Sequence, residues 1–167
     1  MKTVEHLNSE RIEAIIKKCD VCFIGVVDGD MPYVLPMNFG YRNKVIYLHS
    51  APEGRVVDIL NKNSNICVTF STDHELAFQH PEVACSYRMK SKSVVAWGKV
   101  NFQEDFNRKK EALNIIMEQY SDKKFKYSDP AIRNVKIWEV PIDKVSCKEF
   151  GAPHEKYQGD DTVKRSF

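Results

Sequence analysis

The chain has 167 residues, of which 43% are hydrophobic and 29% charged, a composition typical of one globular domain rather than a repeat array or a disordered tail. Its formal net charge of +2 is too small to indicate nucleic-acid binding by itself. No stretch approaches the roughly 18 apolar residues of a membrane span, and polar residues fill the N-terminal positions where a signal peptide is apolar, so we expect a soluble cytoplasmic protein with neither a nucleic acid nor a membrane as partner.

The first predicted element is a helix that begins at Asn8 or Ser9, since either side chain can cap it. Apolar residues then recur at helical spacing, at Ile12, Ile15, Ile16 and Cys19. From Cys22 the pattern changes to short β-rich runs separated by turn residues. We predict an antiparallel meander with strands over 22–27, 32–41 and 44–49.

A short helix after Ser50 is predicted next, followed by a strand over 65–72, an irregular stretch to Lys92 and a strand over 93–102. Residues 104–120 form the best predicted helix, because one apolar stripe runs along it. Its members are Phe106, Leu113, Ile116, Met117 and Tyr120. Residues 122–134 are predicted as a loop with one helical turn, followed by strands over 135–140 and 144–150 that are separated at Pro141.

At least six strands, two to four helices and no strand–helix alternation predict a mainly β fold, an antiparallel barrel with peripheral helices. We assign residues 1–150 to a single domain and expect 151–167 to be a polar, mobile tail. His74, His80 and Cys85 match no common zinc spacing, so no metal site is predicted.

Residues 47–60 are the most informative stretch for chemistry. Ser50 ends a predicted strand and is placed to cap the next helix, and Glu53 completes a capping box. Val56, Ile59 and Leu60 are predicted to form the buried face of this helix. The start of a helix offers free N–H groups to an anion, and Arg55 adds a guanidinium fork. These residues suit a phosphate, although an ordinary capped helix with a surface arginine fits the same pattern.

Four short motifs occur in a recognisable order along residues 8–155. They are Pro36-Met37-Asn38-Phe39-Gly40-Tyr41, then His49-Ser50-Ala51 with Gly54-Arg55, then Ser93-Val94 with Gly98, and finally Lys148-Glu149-Phe150-Gly151. In this order they resemble the flavin-binding split-barrel family of pyridoxamine 5'-phosphate oxidase-like proteins, in particular its nitroimidazole-resistance branch.

The resemblance implies a six-stranded split β-barrel of Greek-key-like topology that forms a homodimer and binds FMN at the subunit interface. By the same resemblance, the flavin phosphate is held by Ser50, Arg55 and the helix N-terminus, and His49, Ala51 and Gly54 are further cofactor-binding residues. The isoalloxazine is lined by Pro36, Met37, Asn38 and Phe39. Lys90, Lys92 and Ser93 approach the cofactor from the later strand.

One position departs from the family's pattern. Members of the family usually carry a second basic residue after the motif's Gly-[Arg/Lys], and here that position is Val56. Phosphate binding then depends on Arg55, the helix end and Lys90 or Lys92, and FAD is an alternative cofactor if its second phosphate reaches one of the lysines.

His49 is a candidate for more than cofactor binding. It ends a strand beside the predicted phosphate site, and it resembles the histidine that matters for chemistry in the nitroimidazole-resistance branch. We expect it to position the cofactor or substrate; a catalytic role and a half-buried structural imidazole are the alternatives.

The resemblance predicts a flavin-dependent oxidoreductase that passes electrons from a reduced nicotinamide or another donor to a small organic acceptor, such as a nitroimidazole or other nitro-aromatic. In such a site the cofactor performs the redox chemistry, so no acid–base pair is required. The alternative is a flavin-binding carrier or redox-sensing module without turnover. A pyridoxamine 5'-phosphate oxidase proper ranks lower, because the chain has Lys148-Glu149-Phe150-Gly151 instead of that enzyme's late Arg-x-His-type segment.

Overall fold

The computed structural model describes residues 2–6 and 8–152. Its strands are β1 (Lys2–His6), β2 (Cys22–Asp28), β3 (Met31–Met37), β4 (Gly40–Arg42), β5 (Val45–Ser50), β6 (Asn65–Ala77), β7 (Arg88–Lys99), β8 (Asn101–Gln103) and β9 (Lys136–Ala152). Its α-helices are α1 (Ser9–Lys17), α2 (Arg55–Lys62), α3 (Phe106–Glu118) and α4 (Asp129–Arg133). In the described ranges no helix is both long and apolar enough to cross a membrane.

All strand pairs are antiparallel, and the strands follow the order β3-β2-β6-β7-β9-β5-β4. Strands β1 and β8 also pair with β9, so β9 contacts four other strands. The predicted mainly β, antiparallel split-barrel class with up to four helices is confirmed. The expectation of at least six strands holds, because nine are present in the described part of the chain.

Strand β9 corrects the predicted break at Pro141. Residues 136–141 pair with β5 and residues 142–150 pair with β7, so the strand runs unbroken while its partner changes. Pro141 lies at the end of the ladder with β5, where the missing N–H costs least. The next residue, Ile142, donates its N–H to the Lys44 carbonyl at 3.0 Å, which continues the strand.

Two other predicted boundaries were wrong. The predicted strand over 32–41 is two strands, since β3 ends at Met37 and β4 begins at Gly40. The stretch predicted as irregular up to Lys92 is irregular over 78–87, but its two ends belong to β6 and β7, which are held by cross-strand pairs such as Glu75 with Lys90. The pairing of β1 with β9 was not predicted, and the sequence gives no local sign of that distant partner. Residues 151–152 end β9, and the rest of the predicted tail, 153–167, lies outside the described residues.

Helix α1 forms as predicted. The Asn8 Oδ1 atom accepts a hydrogen bond from the Arg11 N–H at 3.2 Å, which is the expected cap. Ile12, Ile15 and Ile16 are buried in the main core. Local sequence signals and tertiary packing therefore agree at this helix.

Helix α3 buries a different face from the predicted stripe. Its buried residues are Lys109, Ala112, Ile115 and Ile116, whereas Leu113 and Met117 are only half-buried. The Lys109 Nζ donates to the Val135 carbonyl at 3.0 Å and lies 3.2 Å from Glu104 Oε2. Because its charge is satisfied in this way, the aliphatic stem of a lysine can take a core position.

Gly98 lies where β7 and β9 approach most closely. The pairing register shifts between Trp97 and Gly98, as in a β-bulge. A Cβ atom at Gly98 would stand 2.2 Å from the Pro141 carbonyl oxygen and 3.1 Å from Val140 Cγ1. Only glycine fits this approach without a backbone shift.

Candidate functional site

The Ser50 side chain bonds to a core residue and does not cap the helix that follows it. Its hydroxyl accepts a hydrogen bond from the Trp138 Nε1 at 3.2 Å and donates to the Ala51 carbonyl at 2.7 Å. Trp138 is fully buried, so its indole N–H needs an acceptor inside the protein. The predicted Ser50 cap and its box with Glu53 are therefore wrong: α2 begins at Arg55, and Gly54 is its N-cap.

This contact gives a first testable expectation. We expect Ser50→Ala to lower the free energy of unfolding by about 1–2 kcal/mol, because a buried N–H loses its acceptor. Denaturant titration measures the change. Ser146→Ala is the matched control, since that hydroxyl bonds to Glu5 at an exposed position; an equal loss in both variants would contradict the role of Trp138.

The N-terminus of α2 is open. The first intrahelical bond runs from the Asp58 N–H to the Gly54 carbonyl at 3.0 Å, so the N–H groups of residues 55–57 have no partner within the helix. Gly54 has a φ of 134° and no side-chain cap, and a Cβ atom there would meet nothing within 4 Å. Space and donors for an anion are thus present at this helix end.

The buried face of α2 consists of Val57, Ile59 and Leu60. Val56 was predicted to belong to this face, but it is only half-buried, and Val57 is buried instead. The helix begins later than predicted, and this changes which residues point inward. The anchored apolar face fixes the position of Arg55 at the first helical residue.

Arg55 is held in a defined geometry. Its Nε and Nη2 atoms both donate to the Asp28 Oδ2, at 3.1 and 2.9 Å. The guanidinium carbon lies 4.6 Å from the centre of the Tyr33 ring. Within the described residues the Nη1 group has no hydrogen-bond partner, and the Arg55 side chain is 64% exposed.

These residues fit a phosphate group. The open turn of α2 supplies backbone donors, Gly54 leaves room for close approach, and Arg55 keeps one edge of its fork free. Ser50 does not add a free hydroxyl, because both of its hydrogen bonds are made within the protein. Of the residues predicted to bind the cofactor, Gly54 and Arg55 lie at this open helix end, and Ala51 lies in the loop before it.

The segment predicted to line an isoalloxazine ring divides into exposed and buried parts. Pro36 and Asn38 are exposed and Met37 is half-buried at the end of β3. Phe39 is fully buried, with its ring 4.9 Å from that of Phe70, and its N–H donates to the Tyr120 hydroxyl at 2.9 Å. Phe39 therefore supports this segment from the core and cannot line a ligand with its side chain.

His49 lies on the opposite side of β5 from Ser50. Adjacent strand residues face opposite ways, and Ser50 points towards Trp138 while His49 pairs with the buried Ile137. Burial lowers the pKa of His49, which keeps the imidazole neutral. Its Nδ1 atom is buried and has no hydrogen-bond partner among the residues that the structure describes.

Lys90 and Lys92 border a cavity of about 450 Å³ at the N-terminal end of β7. The Lys92 Nζ lies 2.8 Å from Asp73 Oδ2, and the Lys90 Nζ lies 3.2 Å from Glu75 Oε1. Asp73 also pairs with Lys18, and Lys18 and Lys92 together hold the pKa of its carboxyl below the usual range. Ser93 follows on β7, where it pairs with Ser71.

Lys90 and Lys92 are far from Arg55 within one chain. Gly25 of β2 pairs with Cys67 of β6; Asp28 lies three residues beyond Gly25, and Thr72, the partner of Lys92, lies five residues beyond Cys67 in the opposite direction. At about 3.3 Å per residue, the two positions are roughly 25 Å apart along the sheet. One chain therefore does not bring all the predicted cofactor residues together.

An exposed apolar surface that sequence reasoning missed crosses the sheet between these two ends. Val34, Gly25, Cys67 and Trp97 form one row across four strands. Phe23 and Val27 flank the row on β2, and we call these six residues the outer face. Val34 is 62% and Val27 50% exposed. The sequence signal was the run 22–27, which lacks the alternating polar residues of a strand with one solvated side.

The three residues weighed as metal ligands have other contacts or stand apart. The His74 Nε2 lies 2.8 Å from the Ser71 hydroxyl, and the His80 Nδ1 accepts from the Glu82 N–H at 3.3 Å. Cys85 is an exposed free thiol. Across 2–6 and 8–152, no three His, Cys, Asp or Glu side chains are grouped to hold a metal ion.

Comparison with known proteins gives a family match and structures of similar proteins. The model of the family described as pyridoxamine 5'-phosphate oxidase matches residues 8–149. A protein from Bacteroides thetaiotaomicron that has been assigned to 5-nitroimidazole antibiotic resistance is 50% identical to this chain. Its TM-score is 0.81, and the match covers 89% of this chain and 87% of its own. A search of curated proteins found no match.

More distant structures share the fold. A flavocytochrome from Azotobacter vinelandii is 21% identical, with a TM-score of 0.74 over 89% of this chain and 70% of its own. An FAD- and haem-binding protein from Mycobacterium smegmatis is 11% identical, with a TM-score of 0.77 over 97% of this chain and 93% of its own. At these identities the likeness supports the fold alone.

Proposed function

The chain belongs to the pyridoxamine 5'-phosphate oxidase-like split-barrel family, in the branch of the nitroimidazole-resistance protein that it resembles, and on this premise we propose that it is a flavin-dependent oxidoreductase acting on a small organic acceptor such as a nitro-aromatic. The observation that carries the proposal is the agreement between the family's phosphate motif and the open N-terminus of α2 beside Arg55. FMN is the proposed cofactor, with FAD as the alternative.

The chain's own residues bind and orient in this proposal. Arg55 and the first turn of α2 hold the phosphate, and Pro36 to Asn38 offer an exposed strand end for the ring system. In this proposal His49 supports β5 from the face opposite Ser50 and does not contact the phosphate. The bound flavin would supply the electron transfer, so no acid–base dyad is required of the protein.

The direct test is an absorbance spectrum of the purified protein with mass analysis of the released ligand, followed by assay of nitro-compound reduction with a reduced nicotinamide. Flavin absorbance together with turnover supports the proposal. Flavin without turnover supports the binding-module alternative. Colourless protein that no flavin reconstitutes would overturn the flavin assignment itself.

Arg55 is the residue on which cofactor affinity should depend most. We expect Arg55→Ala to weaken FMN binding by about 2 kcal/mol, roughly 30-fold, because a charge-assisted contact to the phosphate is lost. Titration of flavin fluorescence measures the dissociation constant.

The control for this variant is Arg42→Ala. Arg42 is also a surface arginine in an ion pair, with Glu118 at 2.7 Å, but it lies away from α2. We expect its removal to leave flavin affinity unchanged. An unchanged affinity in Arg55→Ala would place the phosphate elsewhere.

We further propose that two copies form a dimer through the outer face and complete the flavin site between them. The separation of Arg55 from Lys90 and Lys92 within one chain supports this, since residues of a second copy can supply the missing end. The exposed apolar row supports it as well, because contiguous apolar surface of this kind marks interaction sites. Sedimentation at twice the chain mass is the expected result.

A further inference from the structure

The link between β3 and β4 is an exposed residue held between two anchored neighbours. The link consists of Asn38 and Phe39, between the end of β3 at Met37 and the start of β4 at Gly40. The Met37 carbonyl accepts a hydrogen bond from the Cys22 thiol at 3.5 Å, and Phe39 is fully buried. Asn38 is exposed, and its side chain makes no hydrogen bond within the part of the chain that the structure describes. Its position is therefore set by the residues on either side of it.

Tyr120 ties the β3–β4 link to the turn between α1 and β2. Its hydroxyl accepts a hydrogen bond from the Phe39 N–H at 2.9 Å and donates one to the Asp20 carbonyl, also at 2.9 Å. Burial raises the pKa of Tyr120, so the hydroxyl keeps its proton at neutral pH and makes both bonds at once. One hydroxyl therefore joins two segments that belong to different parts of the sheet.

Tyr120 is itself anchored by the end of α3. The neighbouring Gln119 donates from its Nε2 atom to two carbonyls at the end of α1, those of Lys17 and Cys19, at 3.0 and 2.9 Å. Gly40, directly after the link, lies so close to α3 that a Cβ atom there would stand 2.7 Å from the backbone of the helix. The place of the Tyr120 hydroxyl is thus fixed by packed backbone on both sides of it.

From this arrangement we infer that Tyr120 is a positioning residue for the flavin ring. By holding the β3–β4 link it fixes the exposed strand end 36–38, which is proposed above to contact the ring system. The inference rests on the proposed flavin function. It applies to FMN and FAD alike, because the two cofactors share the same ring. In this role Tyr120 acts through the Phe39 N–H and supplies no group to the reaction.

Loss of the hydroxyl has a local consequence. The Phe39 N–H, in a fully buried residue, loses its acceptor, and the link has to shift to find another one. A small shift in a segment that contacts a bound ring weakens that contact. The phosphate contacts at Arg55 are unaffected, since they belong to α2 and are not bonded to Tyr120. The contributions of ring and phosphate to flavin binding can therefore be separated.

The test compares dissociation constants for FMN and riboflavin in the wild-type protein, in Tyr120→Phe and in Arg55→Ala. Riboflavin has the same ring as FMN and no phosphate. In Tyr120→Phe we expect both flavins to bind about five- to tenfold more weakly, by the same factor. The long-wavelength absorption band of bound FMN should also move towards that of free FMN. In Arg55→Ala only FMN should lose affinity, and the band should stay in place.

Two control variants separate positioning from stability. Gln119→Met removes two hydrogen bonds at the same helix end but none to the β3–β4 link. Tyr127→Phe removes a buried hydroxyl that has no hydrogen-bond partner among the described residues. Denaturant unfolding measures the stability of each variant. We expect Gln119→Met to be destabilised about as much as Tyr120→Phe, and both controls to bind FMN and riboflavin as the wild-type protein does, with the same absorption band.

Several outcomes would overturn the inference and leave the flavin function intact. One is an unchanged affinity and absorption band in Tyr120→Phe, and another is a loss that affects FMN alone. The same changes in Gln119→Met would also overturn it, because loosening of the helix end would then account for them. If the wild-type protein binds neither FMN nor riboflavin, the flavin function itself fails and the inference fails with it.

Discussion

Gly98→Ala is expected to lower the free energy of unfolding by about 3 kcal/mol or more, and to reduce the yield of folded protein. The added methyl group would lie 2.2 Å from the Pro141 carbonyl oxygen, which is backbone and cannot rotate away. Relief requires β7 and β9 to separate at the point where β9 changes partner, and overpacking of this kind is costly. Denaturant unfolding measures the loss.

The control for Gly98 is a glycine in a neighbouring strand with ordinary space. A Cβ atom at Gly25 would have its nearest neighbours at 3.8–3.9 Å, in normal van der Waals contact. Gly25→Ala should therefore change stability by less than about 1 kcal/mol. If Gly98→Ala is no worse than Gly25→Ala, the close approach of β7 and β9 is not a constraint on the fold.

The proposed dimer depends on the exposed apolar side chains of the outer face. Val34→Asp is expected to weaken self-association by at least 3 kcal/mol, more than about 100-fold, because the two-fold symmetry of a dimer buries two unpaired carboxylates. Val34 is 62% exposed in the single chain, so the fold itself should tolerate the change. Sedimentation across a concentration series measures the shift from dimer to monomer.

Flavin affinity should fall in the same variant if the site lies between subunits. Val83→Asp is the control, since it makes the same substitution at an exposed valine in the connection between β6 and β7, away from the outer face. We expect it to remain dimeric. A Val34→Asp protein that stays dimeric would exclude the outer face as the interface, and a monomer with full flavin affinity would contradict the interfacial site.

Local signals predicted the parts of the fold that depend on neighbouring residues. The Asn8 cap and the isoleucine spacing of α1 are both satisfied within one helix, so the sequence pattern and the structure agree there. The predicted break at Pro141 was wrong because continuity of β9 depends on a change of partner between two distant strands. That change leaves no trace in the residues next to the proline.

In the candidate site too, features set by neighbouring residues were predicted and features set by distant residues were not. Glycine and arginine at the start of α2 were recognisable from the motif, and the structure places both at an open helix end. Ser50 was assigned to that helix by a capping pattern that is valid locally, but Trp138, 88 residues away, takes its hydroxyl. The Asp28 carboxylate beside Arg55 was not predicted, because its approach depends on how the β2–β3 turn packs against α2.

The four pairings of β9 have a consequence for how the chain folds. Strands β1, β5, β7 and β8 all precede β9 in the chain, and β1 is separated from it by well over a hundred residues. Their hydrogen-bonding edges towards β9 stay open until residues 136–152 have been synthesised and have joined them. Folding with such distant contacts is slow, on the scale of milliseconds to seconds. During that interval the open strand edges are exposed to other chains, so this late strand is the step at which the nascent protein is most vulnerable to aggregation.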